Sequence, residues 1–180
     1  MSINIRRIAA KDYERWLELW TGYNKFYEHA PDDAVTAYTW SRLMDDSSSI
    51  FGIVAESEDG GVIGIADCVM HDNTSTMKPV CYLQDLYVDP SSCADGAGRQ
   101  MIEWLLDQMR AQGWAWVYWA TKENNYRARV MHDKFTPHSG FLRYVVYNAD
   151  LKKQRVAGMC PGISRWFGGA RMTGVGQEQK

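Results

Sequence analysis

The sequence predicts a mixed α/β domain whose sheet joins an antiparallel hairpin to a parallel crossover. Three observations predict it. Ile50–Ala55 and Val62–Met70 are apolar, β-branched runs on either side of Glu58-Asp59-Gly60-Gly61, the composition of a hairpin turn. Tyr82–Val88 is another such run; it ends at Asp89-Pro90 and leads through Gly96 and Gly98 onto an amphipathic helix. Ala115–Ala120 follows that helix as a compact aromatic and apolar strand. Strand, loop, helix and strand with no hairpin between them make a right-handed βαβ unit, which normally sits in a sheet covered on both faces.

The remaining elements follow in chain order. Ile3, Ile5 and Ile8 around Arg6-Arg7 read as a first strand, and Lys11-Asp12 opens a helix with Tyr13, Trp16, Leu17, Trp20, Asn24 and Tyr27 at helical spacing. Pro31 breaks that helix. Asp32 is placed to cap a second one running to about Met44, with Trp40 and Leu43 on its buried side, before the polar run Asp45–Ser49. The polar loop His71–Lys78 leads into the Tyr82 strand. Met101, Ile102, Leu105, Leu106 and Met109 share one face of the long helix, and Gly113 suits a left-handed C-cap. Asn124-Asn125 precede a short helix Tyr126–Lys134, a turn spans Pro137 to Gly140, and Phe141–Tyr147 reads as a last strand. Residues 1–150 are thus expected to form the domain. Residues 151–180 are Gly-rich and basic, with Trp166-Phe167 as their strong anchor, and are expected to be an irregular tail that either frays or docks on a partner.

Composition excludes several classes. A chain of 180 residues suits one domain, and a net charge of −2 provides no basic field to favour nucleic acid. Eight Trp and ten Tyr are many for this length and serve either packing or an aromatic-lined pocket. Cys68, Cys81, Cys93 and Cys160 are scattered without a CxxC pair or a His at ligand spacing, which argues against zinc and suits reduced thiols in cytosol. No apolar stretch is long enough to span a bilayer, and MSINIRRIAA lacks the apolar region of a signal peptide; a cytoplasmic location is the expectation.

The stretch from Tyr82 to Gly98 is the most informative. Its glycines let backbone N–H groups approach a ligand, and the helix behind them presents four unpaired N–H groups with a partial positive charge, an arrangement that suits a diphosphate. A plain strand-turn-helix connection would carry the same glycines.

These residues carry a resemblance. The order of elements over about residues 3–147 resembles the GNAT superfamily of N-acetyltransferases. Tyr82–Pro90 is similar to its signature strand, and Gly96-Ala97-Gly98 resembles the end of its Arg/Gln-x-x-Gly-x-Gly/Ala coenzyme A loop. Thr121 through Gly140-Phe141 resembles the following Asn-bearing helix. YLQDLYVDP, VYWATKENNYRARVMHDK and WLELWTGYNKFYE look similar to the small fungal histone and polyamine acetyltransferases and their bacterial relatives. The resemblance implies a mostly antiparallel sheet with a parallel pair and helices on both faces. It implies acetyl-coenzyme A as donor, bound by Leu86, Tyr87 and Val88, by the loop Cys93, Ala94, Asp95, Gly96, Ala97, Gly98 and Arg99, and by Asn125, Arg127 and Ala128. Two positions depart from the family pattern. Cys93 stands where Arg or Gln is usual, with Asp95 adding negative charge and Arg99 a nearby cation; His132 stands where a Tyr commonly protonates the leaving thiolate.

Acetyl transfer to an amine needs a neutral amine, donors for the oxyanion and a proton for the departing sulfur. Asp85 is the candidate base, directly or through water, unless it is an ordinary strand carboxylate paired with a cation. His132 is the candidate acid because imidazolium titrates near neutral pH. Asn125 either touches the cofactor or caps the helix, two compatible roles. Asp67 and Glu123 would favour a cationic acceptor, a polyamine or a protein lysine, if they line the cleft. Tyr23, Tyr27 and Trp40 are candidates to roof the acceptor site, with core packing as their other reading. An amino acid or aminoglycoside-type acceptor, and a coenzyme A-binding module without turnover, are the alternatives. A homodimer or higher assembly is expected from the aromatics and from the similar acetyltransferases.

Overall fold

The computed structural model describes residues 2–92 and 96–148. Five strands form one sheet in chain order: β1 (Asn4–Arg7), β2 (Ile50–Glu56), β3 (Val62–His71), β4 (Val80–Val88) and β5 (Val117–Trp119). Each neighbouring pair is antiparallel except β4 and β5, the parallel pair made by the crossover. Helices α1 (Tyr13–Phe26) and α2 (Asp33–Leu43) cover one face. Helix α3 (Ala97–Gln112) covers the other, together with residues of α4 (Tyr126–His132) and the turn after it.

Strand alternation divides the core. Ile53, Ile63, Ala66, Cys68, Cys81 and Leu83 pack with Met101, Ile102 and Leu105 of α3, whereas Val54, Val62 and Ile65 meet Trp16, Leu19 and Trp20 of α1 and Leu43 of α2. The Cys68 and Cys81 thiols are free and fully buried, and burial pushes the Cys68 thiol upward in pKa. Local chemistry sets the helix ends. Asp32 accepts from the Val35 N–H at 2.7 Å, and Gly113 closes α3 at φ 70°. An ion-pair knot ties β1 to the start of α1: Arg6 grips both oxygens of Asp12 at 2.7 and 2.9 Å and reaches Glu56 at 2.8 Å.

Element boundaries move little from expectation, with one exception. The expected strand Phe141–Tyr147 is not assigned as a strand and is absent from the sheet ladders of the described residues; Phe141, Leu142, Tyr144 and Val146 are each more than three-quarters exposed. Apolar alternation gives a segment the capacity to be a strand, but only a neighbouring edge makes it one. The expected tail from 151 onward lies outside the described residues. No described helix is long and apolar enough to cross a membrane.

Candidate active site

The site begins at a defect in β4. Asp67 pairs with Asp85 but the next residue, Cys68, pairs with Leu83, so Gln84 is an extra residue in β4. This bulge bends the strand and places Leu83 and Leu86 together on the α3 side, turning Asp85 toward α1. The parallel pairing with β5 covers only Cys81–Leu83. Beyond the bulge β4 continues to Val88 with its β5-side edge unpaired among the described residues, leaving backbone donors and acceptors for a ligand.

Three elements converge below that edge. A Cβ added at Gly98 would lie 3.6 Å from the Met131 sulfur, 3.8 Å from Val88 and 3.9 Å from Leu86, so the first turn of α3, the end of β4 and α4 meet at one glycine. Gly96 precedes the helix at φ 89°, and among the described residues no side chain caps α3 or stands within 4 Å of where a Gly96 Cβ would lie. The glycine-led helix start and the open β4 edge together fit a ligand with an anionic group and an amide-bearing arm. Ala97 is buried against the core. Arg99 is exposed and engaged with Glu103 at 2.8 Å, so its charge is shared before any anion arrives. Cys93, Ala94 and Asp95 lie outside the described residues.

The α1 side of the site holds two carboxyls. The Tyr23 hydroxyl and Gln84 face Asp85 and favour its charged form, but burial outweighs them and raises its pKa to about 6. Asp67 is 3% exposed, and neither of its oxygens has a hydrogen-bond partner; Trp16 Nε1 faces it without closing a bond. Burial first and the Asp85 charge second raise the Asp67 pKa well above the ordinary value, leaving it the neutral member of the pair. The Tyr23 ring lies 4.9 Å from Tyr27, whose face carries the Lys122 ammonium at 5.3 Å. Tyr87 packs under α1, where a Cβ at Gly22 would fall 2.7 Å from its hydroxyl.

The other expected residues divide. Trp40 belongs to the packing between α1 and α2, 5.0 Å from Tyr13 and 4.9 Å from Trp16, rather than to the Tyr23–Tyr27 pair. Glu123 is exposed, and its carbonyl accepts from Arg129 at 2.9 Å. Asn125 caps α4, accepting from the Ala128 N–H at 3.3 Å and donating to Thr121 at 3.2 Å; Arg127 is exposed. His132 sits edge-on to Trp119 with ring centres 5.5 Å apart, and burial lowers its pKa below the ordinary 6.5.

The sequence matches the Acetyltransferase (GNAT) family over residues 13–136, a span that contains every described part of this site. The chain belongs to the GNAT family. It is an N-acetyltransferase, with acetyl-coenzyme A as the family's acyl donor. It is 32% identical over 133 residues to the D-amino-acid N-acetyltransferase HPA3 of Saccharomyces cerevisiae, covering 73% of this chain and 83% of that protein. Identity to the uncharacterized N-acetyltransferase YhfO of Bacillus subtilis is 28% over 145 residues, 79% of this chain and 95% of that one. The fold is similar to that of AAC(6')-Iy solved with the bisubstrate analog CoA-S-monomethyl-acetylneamine, with a TM-score of 0.65, 23% identity and coverage of 82% and 98%.

Within this GNAT domain, sequence reasoning missed the Tyr23–Asp85 link, the Gln84 bulge and Lys122. Tyr23 carried a usable signal: Trp16, Trp20, Tyr23 and Tyr27 recur along one stripe of α1, and Trp16 and Trp20, then Trp20 and Tyr23, stack at 5.6 and 5.8 Å. Lys122 carried none, because its place over Tyr27 depends on the path of the loop after β5.

Proposed function

We propose that this GNAT enzyme acetylates the primary amine of a small amino acid, with Asp85 as general base. The observation that carries the reading is the Asp85 carboxyl on β4 beside its open edge, faced by Tyr23 of α1 and raised to about 6 by burial. At neutral pH such a group is mostly ionised yet still basic enough to take a proton from an ammonium, directly or through water. Bound acetyl-coenzyme A supplies an acetyl thioester. The backbone of Leu86–Val88 and the first turn of α3 are the groups that would hold it. Leu86, Val88 and Met131, which gather around Gly98, would line the path of that donor.

Lys122 supports an amino acid over a polyamine. A zwitterion needs a carboxylate for its ammonium and a cation for its carboxylate, and Asp85 and Lys122 flank the Tyr23–Tyr27 pair with those charges. The name of the yeast relative points the same way. A polyamine or protein lysine is the second reading, supported by the Tyr23–Tyr27 pair beside Asp85, since the Lys122 ammonium over Tyr27 shows that this ring face accepts a cation. His132 is proposed as the proton donor to the departing sulfur.

Thiol release measured with the full chain, acetyl-coenzyme A and matched panels of D- and L-amino acids, diamines and lysine peptides tests this. Amino acids should give the highest kcat/KM, and Lys122→Ala should raise their KM at least ~10-fold while changing diamine turnover little. Preference for diamines, or equal sensitivity of both classes to Lys122→Ala, would overturn the amino-acid assignment.

A further inference from the structure

We propose that the stacked rings of Tyr82 and Tyr118, held by His71, form the wall against which this enzyme seats the side chain of its acceptor and select an amino acid whose side chain is aromatic, a selection that rests on the amino-acid acceptor proposed above and concerns the part of it that does not react. The two tyrosines are register partners on β4 and β5, with ring centres 4.8 Å apart and planes 25° from parallel. Cys81, Leu83, Val117 and Trp119 on either side of them pack in the α3 layer, so alternation turns Tyr82 and Tyr118 to the α1 face. Neither ring belongs to a core layer, and Tyr118 is 39% exposed.

His71 fixes the outer ring. Its Nδ1–H donates to the Asp72 carbonyl oxygen at 2.8 Å, so in the neutral imidazole Nε2 is the acceptor and takes the Tyr118 O–H at 2.9 Å. The imidazole also stands edge-on to the Tyr118 ring, with centres 5.9 Å apart. With its hydroxyl occupied, Tyr118 offers a ligand ring surface rather than a polar group, and aromatic side chains are the ones that stack on such a surface. A surface set before the ligand arrives binds it with less loss of side-chain freedom.

The rings also lie where the side chain of the acceptor is left to go. The Gln84 bulge brings Asp85 to the same face as Tyr82, about 10 Å along β4 at most. A donor on Leu86–Val88 takes the opposite direction from Asp85. An amino acid with its ammonium at Asp85 and its carboxylate toward Lys122 then has its side chain turned back along β4 to Tyr82. A benzyl or indolylmethyl group is long enough to meet the Tyr82 ring, whereas the methyl of alanine falls short of it.

Thiol release by the full chain with acetyl-coenzyme A tests the selection, with phenylalanine, tryptophan, leucine, lysine and alanine as acceptors in both D and L forms and a diamine beside them. The aromatic amino acids should exceed alanine in kcat/KM at least ~10-fold, and Tyr118→Ala, a change at an exposed ring, should cut that ratio at least ~10-fold through KM. Tyr82→Ala should cut it likewise. Tyr118→Phe keeps the ring and should hold the ratio within about 3-fold of wild type. The aromatic selection is overturned, with the amino-acid reading left standing, by a wild-type preference for alanine, leucine or lysine, by a ratio that Tyr118→Ala does not move, by an equal loss on every amino acid, or by a loss in Tyr118→Phe as large as in Tyr118→Ala. A diamine that outruns every amino acid overturns the amino-acid reading itself, and this selection with it.

Discussion

Asp85 is ionised at neutral pH against the preference of its surroundings. The gap between the ordinary 3.8 and about 6 corresponds to ~3 kcal/mol by which the fold disfavours the charged form. The sign follows from the direction: with the folded pKa raised, wild-type stability falls as pH rises through 3.8 toward 6 and stays low above it. Asp85→Asn should therefore stabilise the protein by about 1–3 kcal/mol at pH 8 and by less at pH 5, as read from urea melts at both pH values. The same variant should lose the acidic limb of the kcat/KM profile and about 10²–10⁴ in rate; an unchanged profile would return Asp85 to a structural role. His132 has the opposite pH sense. Burial lowers its pKa, so the protonated imidazole is scarce above pH 6.5, and the part of the rate that depends on it should fall on the alkaline side. His132→Tyr should extend activity to higher pH, since a phenol holds its proton to about 10, and His132→Phe should lower kcat without weakening acetyl-coenzyme A binding. Residue identities at 85 and 132 were legible from the strand and from the family pattern. The partners that set their titration were not, because Tyr23 reaches Asp85 only after α1 packs on the sheet.

At the scale of elements, a single inserted residue governs the geometry. Leu83 and Leu86 bracket Gln84-Asp85, and strict alternation would place Leu83 and Asp85 on the same face; the bulge separates them and ends the β4–β5 ladder in the same turn of chain. The apolar pair three apart was visible in the sequence, but periodicity alone does not say which strand takes up the slip. The glycines separate fold from ligand. At Gly98 a methyl group meets only ordinary contacts, so Gly98→Ala should melt within about 2 °C of wild type yet bind acetyl-coenzyme A at least ~10-fold more weakly, because the backbone could no longer approach the donor as closely. Gly96→Ala has open space but a φ of 89°, so it should be destabilised by about 1 kcal/mol through backbone strain. Calorimetric titration beside thermal melts of both variants checks the contrast; equal binding by Gly98→Ala would move the donor away from the start of α3.

For the whole molecule, the sequence made legible what neighbouring residues decide: the hairpin, the crossover, the caps at Asp32 and Gly113 and the division of the core into two layers. It overstated Phe141–Tyr147, which joins no strand ladder among the described residues. Stability at low pH depends on the knot at Arg6, where the guanidinium holds the Asp12 carboxyl below its ordinary 3.8. A lowered carboxyl pKa contributes stability above that value and loses it as pH falls through and below it. Asp12→Ala should cost about 3 kcal/mol at pH 7, and the gap to wild type in urea melts should close in acid.

The two sealed thiols of the central strands give the molecule a built-in clock. Cys68 on β3 and Cys81 on β4 have no solvent-exposed surface, so a small alkylating reagent reaches them only when that pair of strands parts. Mass-resolved labelling of these two sites then times the opening of the middle of the sheet. A saturating donor or acceptor that binds only the folded chain slows the clock by the factor 1 + [L]/Kd, which makes the catalytically silent variants measurable on the same scale as the active enzyme.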